Sequence, residues 1–163
     1  MKHTLSVLVE NHAGVLSRIS GLFARRGFNI DSLAVGVTED KTISRMTIVV
    51  NGDNSVVEQV EKQLNKLVEV IRVRSFEEAD IITRELMLLK VSVSSTSRSE
   101  IIDIVKITGA RIVDLSKTTL TIEICDTPER LELLADLLKP YGIKEVMRTG
   151  TVALQKGLNT ITK

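Results

Sequence analysis

Asn11, His12, Ala13 and Gly14 lie between an apolar alternating run and a helix-like run, and Asn29 opens the next extended segment. Backbone N–H groups in a first helical turn lack intrahelical partners and carry partial positive charge. A carboxylate placed there gains hydrogen bonds and dipole attraction together. Gly14 presents no Cβ to an approaching ligand. Asn11 and Asn29 offer amide oxygens to an ammonium group and amide nitrogens to a carboxylate. A free amino acid satisfies all of these demands. The plainer alternative is that Asn11 is a turn or cap residue and Gly14 a tight bend.

Other chemistry has little footing. His3 falls in a strand and His12 in the loop, neither with a Cys or carboxylate at metal-site spacing, so no metal or catalytic residue is assigned. His12 reads as a solvated loop residue. GxxxxGK[ST] and GxGxxG are both absent. The strands at 3 to 10 and 42 to 51 contain no aromatic residue on which RNA bases could stack. Acylphosphatase, of similar topology, needs an Arg in the loop that here reads Asn-His-Ala-Gly. Arg18, Arg25 and Arg26 form a basic helix face, most simply a solvated one.

The elements that position the junction follow from periodicity. Leu5, Val7 and Val9 alternate in a first strand; Val15, Leu16, Ile19, Leu22 and Phe23 make one helical face, closed by Gly27. Strands are predicted at 28 to 38 and 42 to 51. A helix opens at the capping box Ser55 to Glu58, with Glu58 and Lys62 as an i,i+4 pair, and a fourth strand ends near Phe76. The order is β-α-β-β-α-β. It repeats after a charged connector: a strand at 86 to 93, a helix behind the capping box Ser97 to Glu100, strands at 110 to 116 and 119 to 125, a helix begun by Thr127 and Pro128 and stopped by Pro140, and a last strand near 141 to 148. The fold class is α+β, two tandem ferredoxin-like βαββαβ domains. Their boundaries are 1–77, a connector at 78–84, and 85–163, with a poorly determined tail after Gly150.

The chain has 163 residues, with 22 basic and 21 acidic side chains and a net charge of +1. That balance supplies no global attraction to nucleic acid or an anionic membrane. The N-terminus lacks signal-peptide organisation, and no apolar run approaches the ~20 residues that span a bilayer. A cytoplasmic protein is expected, with the single Cys125 as a buried strand thiol.

The strand order 4-1-3-2 expected of this topology puts 28 to 38 at an edge. It holds neither Pro nor Lys and is rich in Ile, Leu and Val. The same edge of a second copy would cover it, which predicts a homodimer. Phe28 and Ile30 share one parity, Leu33, Val35 and Val37 the other. Either a bulge sits near Asp31-Ser32, re-aiming Asn29 toward the seam, or the strand begins at Leu33.

The junction resembles the ACT domain, an amino-acid-sensing ferredoxin-like module with Asn or Asp and Gly at its first strand-helix junction and Asn opening its second strand. More narrowly, "VENHAGVLSRISGLFARRGFNIDSLAV", "SRMTIVV" and "KPYGIKEVMRTGTVAL" resemble the regulatory small subunits of acetolactate synthase, over nearly the whole chain. The likeness departs at "IVKITGARIVD", where an aromatic is expected before Ala110-Arg111, and at Lys41, where Pro is common.

The resemblance implies a chain without a catalytic centre or cofactor of its own. Its partner would be the large catalytic subunit, which carries thiamine diphosphate, Mg and FAD and condenses pyruvate with a second 2-oxoacid. It also implies feedback inhibition by a branched-chain amino acid, usually valine. By position, Asn11, Gly14, Val15 and Leu16 of one chain and Asn29 and Ile30 of the other would hold the effector, Leu16 and Ile30 facing its side chain. The alternative is a stand-alone ACT sensor acting on transcription or another enzyme.

Overall fold

The computed structural model describes residues 1–162, which form two compact units: Met1 to Ile82 together with the segment from Thr151 onward, and Thr83 to Gly150.

In the first unit β1 (Lys2–Glu10), β2 (Ile30–Val37), β3 (Ile43–Asn51) and β4 (Val70–Phe76) make an antiparallel sheet in the order β2-β3-β1-β4. The inferred edge position of β2 is therefore the observed one. Leu5, Val7 and Val9 of β1 and Met46, Ile48 and Val50 of β3 share one face because strand side chains alternate. Helices α1 (Val15–Arg26) and α2 (Asn54–Leu64) cover that face with Val15, Ile19, Leu22, Phe23, Val57, Val60 and Leu64. Each such side chain contributes about 1.5–3 kcal/mol on burial.

Helix α1 stops at Gly27, whose φ of 68° allows the Phe28 amide to reach back to the Phe23 carbonyl at 3.0 Å. The two rings then meet edge to face, centroids 6.3 Å apart. The parity change in β2 resolves as a bulge: the pairing with β3 shifts register between Ile30 and Ser32, and the strand begins at Ile30 rather than Leu33.

The second unit repeats the plan. β5 (Ile81–Ser92), β6 (Arg111–Leu115), β7 (Thr119–Asp126) and β8 (Ile143–Arg148) run in the order β6-β7-β5-β8, with α3 (Arg98–Thr108) and α4 (Pro128–Leu138) over Met87, Leu89, Val91, Leu120, Ile122 and Ile124. The two units are thus tandem ferredoxin-like domains.

Several local expectations are corrected. The cap of α2 is Asp53, not Ser55: its carboxylate accepts from the Val56 amide at 3.0 Å and from Ser55 Oγ at 2.7 Å, because an ionised acceptor outcompetes a hydroxyl for the first-turn donors. The Ser97–Glu100 box does not form. Ser97 Oγ accepts from the Ser94 amide, Ser94 Oγ accepts from the Ser97 amide, and Glu100 instead accepts from Tyr141 OH at 2.9 Å. The connector is shorter than expected, since a 3₁₀ turn at Glu78–Asp80 leads directly into β5 at Ile81. Cys125 is exposed, because Leu120, Ile122 and Ile124 take the inward parity of β7.

The largest difference is the tail. Residues 151–162 return to the first unit, where β9 (Val152–Gln155), paired with β5, lies against the sheet face opposite the helices. Thr151 N bonds Ser32 Oγ of β2 at 2.8 Å, Arg45 of β3 donates to the Ala153 carbonyl at 3.1 Å, Arg74 of β4 donates to Gln155 Oε1 at 2.8 Å, and the Lys156 amide donates to the Asp80 carbonyl at 2.8 Å. Ala153 and Ile161 join Leu8, Ile43, Phe76 and Ile81 in a third apolar cluster. The sheet has a second face that needs cover, and these residues supply it. No helix among the described residues is long and apolar enough to cross a membrane.

Candidate effector site at the first strand-helix junction

Asn11 leaves β1 with both of its amides engaged on the β2–β3 turn. Its backbone N–H donates to the Thr42 carbonyl and its Nδ2 to the Lys41 carbonyl, each at 2.8 Å. Among the described residues its Oδ1 accepts nothing, so the ligand-facing capacity left to Asn11 is that of an acceptor. The side chain thus anchors the loop and presents an oxygen.

Gly14 is the N-cap of α1, with φ 90° and ψ −16°. An L side chain rarely adopts that φ, and a Cβ built there meets no heavy atom within 4 Å. The glycine is demanded by conformation, and the space before it is open. No side chain caps the helix and no acidic residue occupies its first turn. The first intrahelical bond runs from the Arg18 amide to the Gly14 carbonyl at 3.0 Å, so the amides of Val15, Leu16 and Ser17 precede the helical ladder. Arg25 and Arg26 in the last turn complement the other end of the dipole. Val15 is buried in the core and only its amide faces outward, whereas the Leu16 side chain is 46% exposed.

Asn29 and Ile30 lie beyond the C-cap of the same helix, whose 12 residues extend about 18 Å along its axis. Within one protomer a ligand at Gly14 therefore cannot touch Asn29. Asn29 is exposed, and its Nδ2 donates to Asp31 Oδ1 at 3.0 Å, leaving its oxygen outward like that of Asn11. Ile30 is half-buried against the first core.

Sequence reasoning missed the charged groups beside the junction. His12 Nε2 lies 2.8 Å from Glu10 Oε2, and its Nδ1 lies 3.1 Å from the Ala13 carbonyl. The Ala13 carbonyl, and then the Glu10 carboxylate, raise the imidazole pKa above its ordinary 6.5. Arg18, one turn into α1, pairs with the nearly buried carboxylate of Glu69, whose carbonyl also accepts from the Glu10 amide at 2.9 Å. The spacing Glu10-x-His12 hints at the first pair. Nothing local signals the second, because Glu69 arrives with β4.

Comparison with known proteins identifies the family of the fold that carries this junction. Residues 5–72 match the AHAS small subunit-like ACT domain, and residues 84–157 match the small subunit of acetolactate synthase. An acetolactate synthase small subunit from Mycolicibacterium smegmatis is 54% identical over 155 residues, 95% of this chain and 91% of that one. The chain belongs to the acetolactate synthase small-subunit family. A probable member from Archaeoglobus fulgidus is 52% identical, covering 96% of this chain and 98% of its own. The crystal structure of the family member from Thermotoga maritima superposes with a TM-score of 0.91 at 38% identity, covering 96% of this chain and 98% of that one. Both units therefore carry the family's fold, and the junction at Asn11–Leu16 lies within the ACT segment.

Proposed function

We propose that this chain is a non-catalytic regulatory subunit. It stimulates a separate large subunit, the carrier of thiamine diphosphate, Mg and FAD, and makes that enzyme sensitive to valine or another branched-chain amino acid. The observation that carries this function is the helix start behind Gly14: three amides ahead of the ladder, no capping side chain, no acidic residue, and open space before them.

A zwitterion fits this set. Its carboxylate takes the amides of Val15 and Leu16, its ammonium takes Asn Oδ1 atoms, and its aliphatic group lies on Leu16. The separation of Asn29 from Gly14 by the length of α1 favours a seat shared between two copies, Asn29 and Ile30 coming from the second across the β2 edge. Regulation then requires that the effector bind two arrangements of the paired sheets with different affinity. A coupling of about 1–3 kcal/mol would change the partner's activity 5- to 150-fold.

The test is reconstitution. The purified chain is added to the large catalytic subunit of acetolactate synthase, and turnover is followed with and without valine, leucine and isoleucine. Stimulation together with inhibition by one of them supports the proposal, and no gain in turnover favours a stand-alone ACT sensor. Gly14→Asp, which adds a negative charge where the effector carboxylate sits, abolishes feedback; calorimetry showing undiminished amino-acid binding to that variant would refute the seat.

A further inference from the structure

On the face of the first sheet away from α1 and α2 lies a half-open cavity of about 630 Å³ between β2, the β2–β3 turn, β3 and the returning tail. Its volume falls within the range of small-molecule sites. The lining is aliphatic: Leu8, Ala34, Ile43, Val152, Leu154 and Ile161 supply most of the wall, whereas Val35 and Val37, opposite Met46 and Ser44, turn their side chains to the helix face. No aromatic side chain lines it.

Three charged residues border the cavity, Arg45, Glu39 and Asp40. Glu39 is exposed on the turn, and Asp40 Oδ1 already accepts from the Thr42 amide at 2.9 Å and from Thr42 Oγ1 at 2.6 Å. Arg45 is different. It projects from the middle of β3, opposite Gly36, whose missing side chain opens the floor beside it. Among the described residues its side chain makes one hydrogen bond, the 3.1 Å contact from Nη2 to the Ala153 carbonyl, and pairs with no carboxylate. A guanidinium carries five N–H donors in a planar fork suited to a carboxylate. Burial lowers its pKa, the mark of a cation lacking compensation.

We propose that this cavity binds an aliphatic monocarboxylate of medium chain length, its carboxylate on the Arg45 guanidinium and its chain along Leu8, Ile43 and Ile161. Arg45 is the one cation among the described lining residues, which favours a monoanion, and the carboxylates of Glu39 and Asp40 at the border disfavour phosphates and other polyanions. The absence of aromatic rings among the lining residues disfavours nucleotides. The site is separate from the effector seat, since it lies on the opposite side of the sheet from α1.

Octanoate is the probe, with octan-1-ol and octylammonium as controls of equal length, titrated into the full chain by calorimetry and followed in methyl NMR spectra. Octanoate binds saturably and shifts the methyls of Leu8, Ile43 and Ile161. Octan-1-ol binds about 10- to 100-fold more weakly, the range for losing a charge-assisted hydrogen bond, and octylammonium weaker still. Arg45→Met reduces octanoate to the level of octan-1-ol while leaving octan-1-ol unchanged, which also reports that the cavity is intact. Arg45→Lys restores part of the difference. Gly14→Asp binds octanoate like the parent, so failure of the effector seat and failure of this site are told apart. Equal binding of octanoate and octan-1-ol, no saturable binding of octanoate, or shifts confined to methyls elsewhere overturns the proposal.

Discussion

The Thr151 amide donates a 2.8 Å hydrogen bond to Ser32 Oγ, joining the start of the tail to the bulge of the edge strand. Thr151 is buried, so Ser32→Ala removes a hydrogen bond made away from solvent. The substitution is expected to cost the first unit about 0.5–1.5 kcal/mol. Urea unfolding followed by far-ultraviolet circular dichroism measures the loss. Tyr141, the only tyrosine in a chain without tryptophan, lies in the second unit, and its fluorescence transition should stay in place.

The β2 edge supplies a second test. The Thr38 amide donates to the Ile43 carbonyl at 2.9 Å, so even-numbered residues of the strand after the bulge aim their N–H groups at β3 and odd-numbered ones aim outward. Val35→Pro therefore deletes an outward donor and spares the ladder to β3. Sedimentation should find the parent dimeric and Val35→Pro monomeric, with Val35→Thr dimeric. A Val35→Pro dimer would place the association elsewhere.

Element order and the change of parity in β2 were legible because each is written in local periodicity; the edge position followed from the topology, and the choice between a bulge and a start at Leu33 needed the pairing with β3. The shift of parity between Ile30 and Leu33 needs no distant information. The outward aim of Cys125 was legible in the same way, from the alternation of Leu120, Ile122 and Ile124, although its apolar character argued for burial. The cap of α2 was ambiguous, since Asp53 and Ser55 both suit the position and only their mutual hydrogen bond decides between them. The tail was illegible: its partners Ser32 and Arg45 stand more than a hundred residues earlier, and no pattern within 151 to 162 names them. The cavity at Arg45 was hidden for the same reason. At the candidate effector site Asn11 and Gly14 were identifiable by type and spacing. The engagement of Asn11 Nδ2 with Lys41 was not, because it depends on where the β2–β3 turn arrives.

His12 gives a prediction in pH. The Ala13 carbonyl and the Glu10 carboxylate both favour the imidazolium, so the folded pKa lies above the unfolded value. The stabilisation is thus fully present below the ordinary pKa of 6.5 and is lost as pH rises through the folded value. An NMR titration of the His12 ring should give a midpoint above 6.5. Glu10→Gln should lower that midpoint without returning it fully, because the larger influence, the Ala13 carbonyl, remains. An unchanged midpoint in Glu10→Gln would show that the pair does not persist in solution.

The second unit holds a two-point ionic contact on a nearly buried carboxylate. Arg148 Nε donates to Glu85 Oε1 at 2.7 Å and Nη2 to Glu85 Oε2 at 3.1 Å, a two-point grip on a carboxylate whose side chain is only 6% exposed, and Nη1 reaches Glu132. The Glu85 hydrogen bonds, more than any other influence, hold the guanidinium pKa above its usual value. Arg148→Met strips these two bonds from a nearly buried carboxylate, and the expected cost is about 1.5–3 kcal/mol, the range for hydrogen bonds to a charged group. Arg148→Lys keeps the charge but not the planar fork and should recover only part of the loss. Tyr141 reports on this unit directly, so its fluorescence transition in urea should move to lower concentration in the order parent, Arg148→Lys, Arg148→Met. Should Arg148→Met unfold with the parent's midpoint, the pair contributes nothing net, and the desolvation of Glu85 must already cancel the attraction in the native protein.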